Sequence, residues 1–210
     1  MTKGLFITFE GPDGSGKTTQ IKKIEAWLKE KGKEVVCTRE PGGTLTAEAL
    51  RYIVLNPQFS MQGEAETLLY LAARADHVEK IIAPALAQGK VVICDRFSDS
   101  TLVYQGMTRG MDMATVKIMN DFATKHIAPD LTFLLDGEPE KLLARRNERG
   151  TKDRLELEGI LFQEKVRNGF LALAKEEPHR IIVIDCLQTE EAIFQQLCTK
   201  LETILRVNIY

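Results

Sequence analysis

Five apolar, β-prone runs separated by helix-like stretches predict an α/β fold: a three-layer sandwich with a five-stranded parallel sheet covered by helices on both faces. Two observations carry this expectation. The runs at 5–9, 35–38, 91–94, 131–135 and 181–184 are nearly continuous in apolar character rather than alternating, as strands covered on both sides require. The first run also leads through a glycine-rich loop directly into a helical segment.

Taken in order, Leu5-Phe6-Ile7-Thr8-Phe9 is the first strand, and the spacing after Lys17 predicts a helix over about 17–31. Val35-Val36-Cys37-Thr38 follows as the second strand, with helices expected at about 45–55 and 63–88. Pro84 should kink or bend the second of these, because it has no N–H and its ring crowds the preceding turn. The third strand is Val91-Val92-Ile93-Cys94, followed by a helix at about 112–126. Leu131-Thr132-Phe133-Leu134-Leu135 and Ile181-Ile182-Val183-Ile184 complete the sheet, with helices at about 138–148, 157–176 and 189–205. No internal repeat or low-complexity segment interrupts the pattern, so residues 1–210 read as one domain.

A hydrophobic fraction of 44% with 28% charged residues is ordinary for a globular chain of 210 residues, which is long enough to bury a full core. The net charge of −2 argues against a broad nucleic-acid footprint, so any anion site must be local. No run approaches the ~20 apolar residues a membrane span needs. Met1-Thr2-Lys3 runs straight into the first strand without a signal-peptide pattern. A cytoplasmic protein without nucleic-acid or membrane partners is therefore expected. Cys37, Cys94, Cys186 and Cys198 form no C-x-x-C pair, and three sit in apolar strand-like runs where cysteine serves as a small buried hydrophobe. His77, His126 and His179 share no ligand spacing, which points to structural or surface roles.

Gly11-Pro12-Asp13-Gly14-Ser15-Gly16-Lys17-Thr18 fits the phosphate-cradling pattern G-x-x-x-x-G-K-[ST] at every fixed position. Its three glycines let backbone N–H groups converge on a polyphosphate at a helix N-terminus. Lys17 is expected to reach the β- and γ-phosphates of a nucleoside triphosphate and Thr18 to ligate Mg²⁺, with Thr19 completing the nucleotide-binding stretch. The fold is then expected to be of the P-loop NTPase type.

Ligands of such sheets bind beyond the carboxyl ends of the strands. Strand two ends in Thr38-Arg39-Glu40-Pro41-Gly42-Gly43, strand three in Asp95-Arg96-Phe97 and strand four in Asp136. Asp95, closing an apolar strand, matches the acid that orients hydrated Mg²⁺. Arg39 and Arg96 form a cation pair suited to a second phosphate group, for which a planar fork of donors is matched. Tyr70 and Arg74 are i,i+4 on the third helix, and Thr101 and Gln105 show the same spacing with Tyr104 beside them. Such a set suits a flat pyrimidine, with stacking on one face and hydrogen bonds to the edge.

With these motifs in view, the sequence resembles thymidylate kinases (dTMP kinases), in particular the bacterial form, over nearly its whole length. The resemblance rests on Phe9-Glu10-Gly11 into the phosphate loop, Arg39-Glu40-Pro41-Gly42-Gly43, Asp95-Arg96-Phe97, Tyr104-Gln105-Gly106 and Arg149-Gly150-Thr151-Lys152-Asp153-Arg154. It implies that Asp13 accepts a hydrogen bond from the 3′-hydroxyl of dTMP, and that Arg39 and Arg96 hold its phosphate with Arg51 nearby. Tyr70 stands where the family usually stacks a Phe on thymine. Arg74, Thr101 and Gln105 would read the base edge, and Tyr104 would pack on the sugar. Phe97 replaces a common Tyr or His.

The resemblance also implies a small lid at about 145–157 and a homodimer. Five basic residues, Arg145, Arg146, Arg149, Lys152 and Arg154, fall within ten positions there. Arg149 and Arg154 are expected to reach the transferring phosphoryl, and Arg145 to lie against adenine. The implied reaction, ATP + dTMP ⇌ ADP + dTDP, needs no general base, because a phosphate monoester is largely ionised at neutral pH, with a second pKa near ~6. A deoxynucleoside kinase would need a carboxylate base, for which Glu10 or Asp13 could be nominated, but it would leave Arg39 and Arg96 without an acceptor phosphate. A guanine-nucleotide switch would need an Asn-Lys-x-Asp motif, which the sequence lacks.

Overall fold

The computed structural model describes residues 4–147 and 158–207. Strands β1 (Leu5–Glu10), β2 (Val35–Arg39), β3 (Val91–Asp95), β4 (Leu131–Asp136) and β5 (Ile181–Asp185) form one parallel sheet in the order β2-β3-β1-β4-β5. Each expected strand is present, and each extends one residue further to end on a charged side chain: Glu10, Arg39, Asp95, Asp136 or Asp185. Central β1 pairs with β3 on one side and β4 on the other. Strand order therefore reverses about β1, which opens a crevice beyond its carboxyl end.

Alternation along β1 divides the core between two helical layers. Leu5, Ile7 and Phe9 pack with Ile21, Ile24 and Leu28 of α1 (Lys17–Glu30) and with Leu197 and Leu201 of α9 (Glu190–Val207). Phe6 points to the other face, against Val78, Ile82 and Phe97. Glu10 shares that parity, and this places a carboxylate beneath the helices that follow β3.

Only the three inner strands are buried along both faces. Edge strands β2 and β5 alternate, leaving Cys37 and Val183 exposed, because helices cover a sheet margin incompletely. This corrects the expectation of five fully covered strands. Cys94 and Cys186 are buried as expected, and Cys198 is buried on α9.

Helices α2 (Leu45–Leu55), α6 (Met113–Thr124), α7 (Pro139–Asn147) and α8 (Ile160–Glu176) fall close to their expected positions. The long third helix is a composite. It begins as α3 (Gly63–His77), widens to a π turn over Val78–Ile82, and resumes as α4 (Ala83–Ala87). Pro84 explains the interruption: it cannot donate to the carbonyl four residues back, and the wider turn takes up the mismatch.

A further helix has no range among those expected, although the i,i+4 spacing of Thr101 and Gln105 points to it: α5 (Ser98–Thr101) continues as a π segment over Leu102–Thr108, with Arg109 N bonded to Tyr104 O at 3.0 Å. Thr101, Val103, Gly106 and Thr108 are weak helix formers, so local propensity gives little sign of it. Packing holds it instead: Val103 and Tyr104 are buried with Val166 and Phe170 of α8. Among the described residues, no helix is long and apolar enough to cross a membrane.

Candidate active site at the carboxyl edge of the sheet

The loop between β1 and α1 lies directly on β4. A Cβ at Gly11 would sit 2.4 Å from the carbonyl oxygen of Leu135, and its φ of 128° also requires glycine. Gly16, with φ of 89°, turns the chain into α1, whose first residue is Lys17. The Lys17 ammonium is buried and curls over its own loop, donating to Gly11 O at 3.0 Å and Pro12 O at 3.2 Å. Burial, reinforced by the Arg96 charge, holds its pKa below the usual lysine value. Ser15 Oγ is buried with no hydrogen-bond partner among the described residues, as suits a hydroxyl that would meet a polar ligand.

Thr18 Oγ1 stands 3.5 Å from Asp95 Oδ2. The described residues contain no cluster of three or more His, Cys, Asp or Glu side chains able to hold a metal by themselves. One hydroxyl and one carboxylate nonetheless fit a divalent cation that takes its remaining ligands from phosphates and water, the usual Mg²⁺ pattern.

Arg96 ties the edge of β3 to this loop. Its Nη2 donates to Asp13 Oδ1 at 2.9 Å, and its guanidinium lies 5.6 Å from the Tyr104 ring centroid. Its backbone has φ of 69°, an uncommon conformation for a non-glycine residue and one associated with functional sites. Glu10 is wholly buried beside it and accepts from Phe97 N at 2.8 Å, Ser100 N at 3.3 Å and Ser100 Oγ at 2.7 Å. Those bonds fix the turn from β3 into α5. Burial pushes the Glu10 carboxyl up to about 7, against the opposing effect of Arg96.

Arg74 organises the opposite wall. It is buried on α3, and Nε donates to Glu40 Oε2 at 2.7 Å. Nη1 donates to both Thr101 Oγ1 and Asn120 Oδ1 at 2.7 Å, and Nη2 to Phe97 O at 2.9 Å. Of the five N–H donors of a guanidinium, one on Nη2 lies outside this set. Glu40 Oε1 is 2.9 Å from Nδ1 of the fully buried His77, whose Nε2 is 2.6 Å from Thr38 Oγ1. Gly43 lies so close to that imidazole that a Cβ would approach it to 2.6 Å. His77 is thus structural, as expected, while His126 and His179 are exposed.

The other residues expected to bind dTMP lie on β2, α2, α3 and the π segment after α5. Arg39 is exposed and paired with Glu48, at 2.8 and 3.0 Å to its two oxygens, while Gly43 N also donates to Glu48. Arg51 Nη1 donates to Pro41 O at 2.8 Å. Tyr70 is half-buried on α3, and Tyr104 is buried with its phenol pushed up to about 12 by desolvation. Gln105 Nε2 donates to buried Glu66 Oε1 at 2.8 Å. Asp136, at the end of β4, is held by Arg167 through two 2.8 Å bonds and serves to fix α8.

A family profile described as Thymidylate kinase matches residues 9–197. The chain belongs to the thymidylate kinase family. A thymidylate kinase of Geobacter sulfurreducens is 53% identical over 189 residues, covering 87% of this chain and 89% of the relative. One from Exiguobacterium sibiricum is 44% identical over 204 residues, covering 97% and 96%. The crystal structure of thymidylate kinase from Ehrlichia chaffeensis superposes with a TM-score of 0.75 at 37% identity, covering 95% of this chain and 99% of that one.

Several residues of this thymidylate kinase fold escaped the sequence reading. What escaped is the structural role of Glu10, otherwise read only as a candidate base, and of Glu40, Glu66, Asn120 and the Asp99–Arg180 pair, whose hydrogen bonds here join residues 34 or more positions apart. Glu40 was visible as part of Arg-Glu-Pro-Gly-Gly, yet nothing nearby in sequence indicates that Arg74 is its partner. Arg149, Arg154 and most of the expected lid lie outside the described residues; Arg145 is on α7.

Proposed function

We propose that this chain transfers the γ-phosphoryl group of ATP to dTMP, giving dTDP for dTTP synthesis. The Arg96–Asp13 bond carries the reading, because it joins the arginine suited to the acceptor phosphate to the loop suited to the donor. Both reacting groups can then share one edge of the sheet. In this reading Gly11 to Thr19 bind the ATP phosphates. Lys17 releases its loop carbonyls to neutralise charge on the phosphoryl group in flight, and Arg96 approaches the same group from the acceptor side.

Thr18 and Asp95 would hold Mg²⁺, which would supply positive charge against the donor phosphates. Asp13 would position the acceptor sugar and Tyr104 would pack against it. Arg39, with Arg51 nearby, would engage the dTMP phosphate, for which Arg39 must exchange its Glu48 partner. Tyr70 would stack on thymine, Thr101 and Gln105 would read its edge, and Arg74 would contribute its remaining Nη2 hydrogen. Arg149 and Arg154 would close over the transferring group from a lid at about 145–157, with Arg145 against adenine. The attacking phosphate oxygen is already ionised, so positioning and charge compensation suffice.

Turnover measured with ATP and dTMP, thymidine or no acceptor tests this. Phosphorylation of thymidine but not dTMP would overturn it.

The chain is further proposed to act as a single-domain cytoplasmic homodimer. Support for the dimer comes from Ile118 and Phe122, one turn apart on α6 and 69% and 86% exposed, with Leu68 also exposed on the adjoining α3. A monomeric mass in light scattering at micromolar concentration would refute it.

A further inference from the structure

Gln105 can read a base in two ways, because its amide offers a carbonyl oxygen on one side and two N–H donors on the other. Its orientation decides which pyrimidine it accepts. Thymine carries a donor at N3, whereas cytosine carries an acceptor there. The amide is not free to choose in this fold. Nε2 lies 2.8 Å from Glu66 Oε1, and a carboxylate oxygen only accepts, so the nitrogen must face Glu66 and Oε1 must face away. Glu66 is itself held: its Oε2 lies 3.3 Å from Arg109 Nη2, which also donates to Glu158 Oε1 at 2.8 Å. The Arg109 guanidinium lies 5.3 Å from the Phe162 ring centroid, adding a second restraint. Glu66 and Gln105 are 1% and 2% exposed, so water competes poorly for either group.

We propose that Glu66, braced by Arg109, is a positioning residue for base selectivity: it locks the Gln105 amide with its oxygen towards the acceptor base, favouring a pyrimidine with an N3–H donor over one with an N3 acceptor. This rests on the assignment of dTMP as acceptor and adds the residue that sets the polarity of the reading group. Arg109 alone could not do so, since it has donors only and bonds Glu66 rather than the amide.

Glu66→Gln tests the inference with a nearly isosteric change. The new side chain can accept or donate, so both Gln105 orientations become available. Steady-state kcat and KM for dTMP and dCMP are measured for wild type, Glu66→Gln, Gln105→Leu and the double variant, with thermal midpoints to verify folding. The expected result for Glu66→Gln is a rise in KM for dTMP with kcat within about threefold. The dTMP:dCMP ratio of kcat/KM should fall by about tenfold or more, the scale on which an unmatched polar group is rejected. In the Gln105→Leu background the same substitution should leave the ratio unaltered, because the group it orients is gone. A general structural defect would cost the same in both backgrounds.

An unchanged ratio in Glu66→Gln, or an equal loss in both backgrounds, overturns the inference alone. A wild-type enzyme with no preference for dTMP overturns the assigned acceptor and the inference with it. Should Glu66→Gln not fold, Arg109→Met reads the same link from its other end. It should lower the ratio by a smaller factor, about threefold, and no fall there overturns the proposal equally.

Discussion

Lys17 in the phosphate loop bonds carbonyls five and six residues away, whereas Arg74, in the wall proposed to face the acceptor, bonds Glu40, Thr101 and Asn120 across separations of 34, 27 and 46 residues. The first arrangement is built from backbone and one side chain, and the loop conformation follows from its own glycines. The second exists only when four separate segments have docked. A change in the phosphate loop should therefore remove chemistry and spare the fold. A change in the acceptor wall should affect binding and stability together.

The largest effect expected from this contrast is in Lys17→Met. Removing the one ammonium in the loop should lower kcat by at least the ~10³-fold typical of losing a key charge-stabilising group. The thermal midpoint should not fall, since the charge is buried and its desolvation opposes ionisation. A variant with near-normal turnover, or one that unfolds, would erase the distinction drawn here.

Arg74→Ala is expected to behave in the opposite manner. KM for dTMP should rise roughly tenfold to a hundredfold, more than that for ATP, as loss of an edge contact worth ~1–3 kcal/mol predicts. Stability should fall by about 3–5 kcal/mol as well, because the Glu40 carboxylate loses its buried cation. Chemical denaturation read alongside kinetics checks both. A rise confined to the ATP KM would reverse the assignment of the two subsites.

Glu10 sits between the two regions and sharpens the comparison through pH. Its carboxyl titrates at about 7 in the fold against 4.5 when exposed, so the native state binds the proton more tightly over that interval. Its contribution to stability is fully present below 4.5 and is lost as pH rises through about 7. Glu10→Gln retains the acceptor for Phe97 N and cannot titrate. Wild type should therefore lose stability relative to this variant across pH 4.5 to 7; parallel curves would show that burial does not hold the proton.

The smallest effect is expected at the cap of α2, where the Thr44 hydroxyl also donates to Asp76 Oδ2 on α3 at 2.5 Å. Thr44 Oγ1 accepts from Ala47 N at 3.1 Å at the start of α2, a contact worth ~1 kcal/mol. Thr44→Ala should cost about that much in denaturation and little in the KM for ATP; a change in ATP binding would mean that α2 reaches the donor loop.

The same contrast explains what could be read in advance. The phosphate loop was legible because its conformation is a property of eight consecutive residues. The five strands were legible because burial on both faces leaves apolar runs, and the edge strands departed from that reading only where their helical cover thins. On α5 and the π segment after it, Thr101, Tyr104 and Gln105 were recognised through their helical spacing, but the extent of the helix was not. Its β-branched and glycine residues give no local signal, and α8 supplies the packing that holds it.

By itself, the sequence determined the strand-loop-helix that cradles phosphate, the alternation that makes a parallel sheet, and the basic and aromatic residues at the strand ends. These follow from glycine conformation, hydrophobic periodicity and side-chain chemistry, all of which are local. Only the tertiary structure decided that Arg39 pairs with Glu48, that Arg74 is committed to Glu40, Thr101 and Asn120, and that Glu66 faces Gln105. The Arg74 and Glu66 partnerships link residues brought together by burial across different elements, where a polar group must find a partner or bear its full desolvation cost, whereas Arg39 and Glu48 meet at the exposed margin of the sheet.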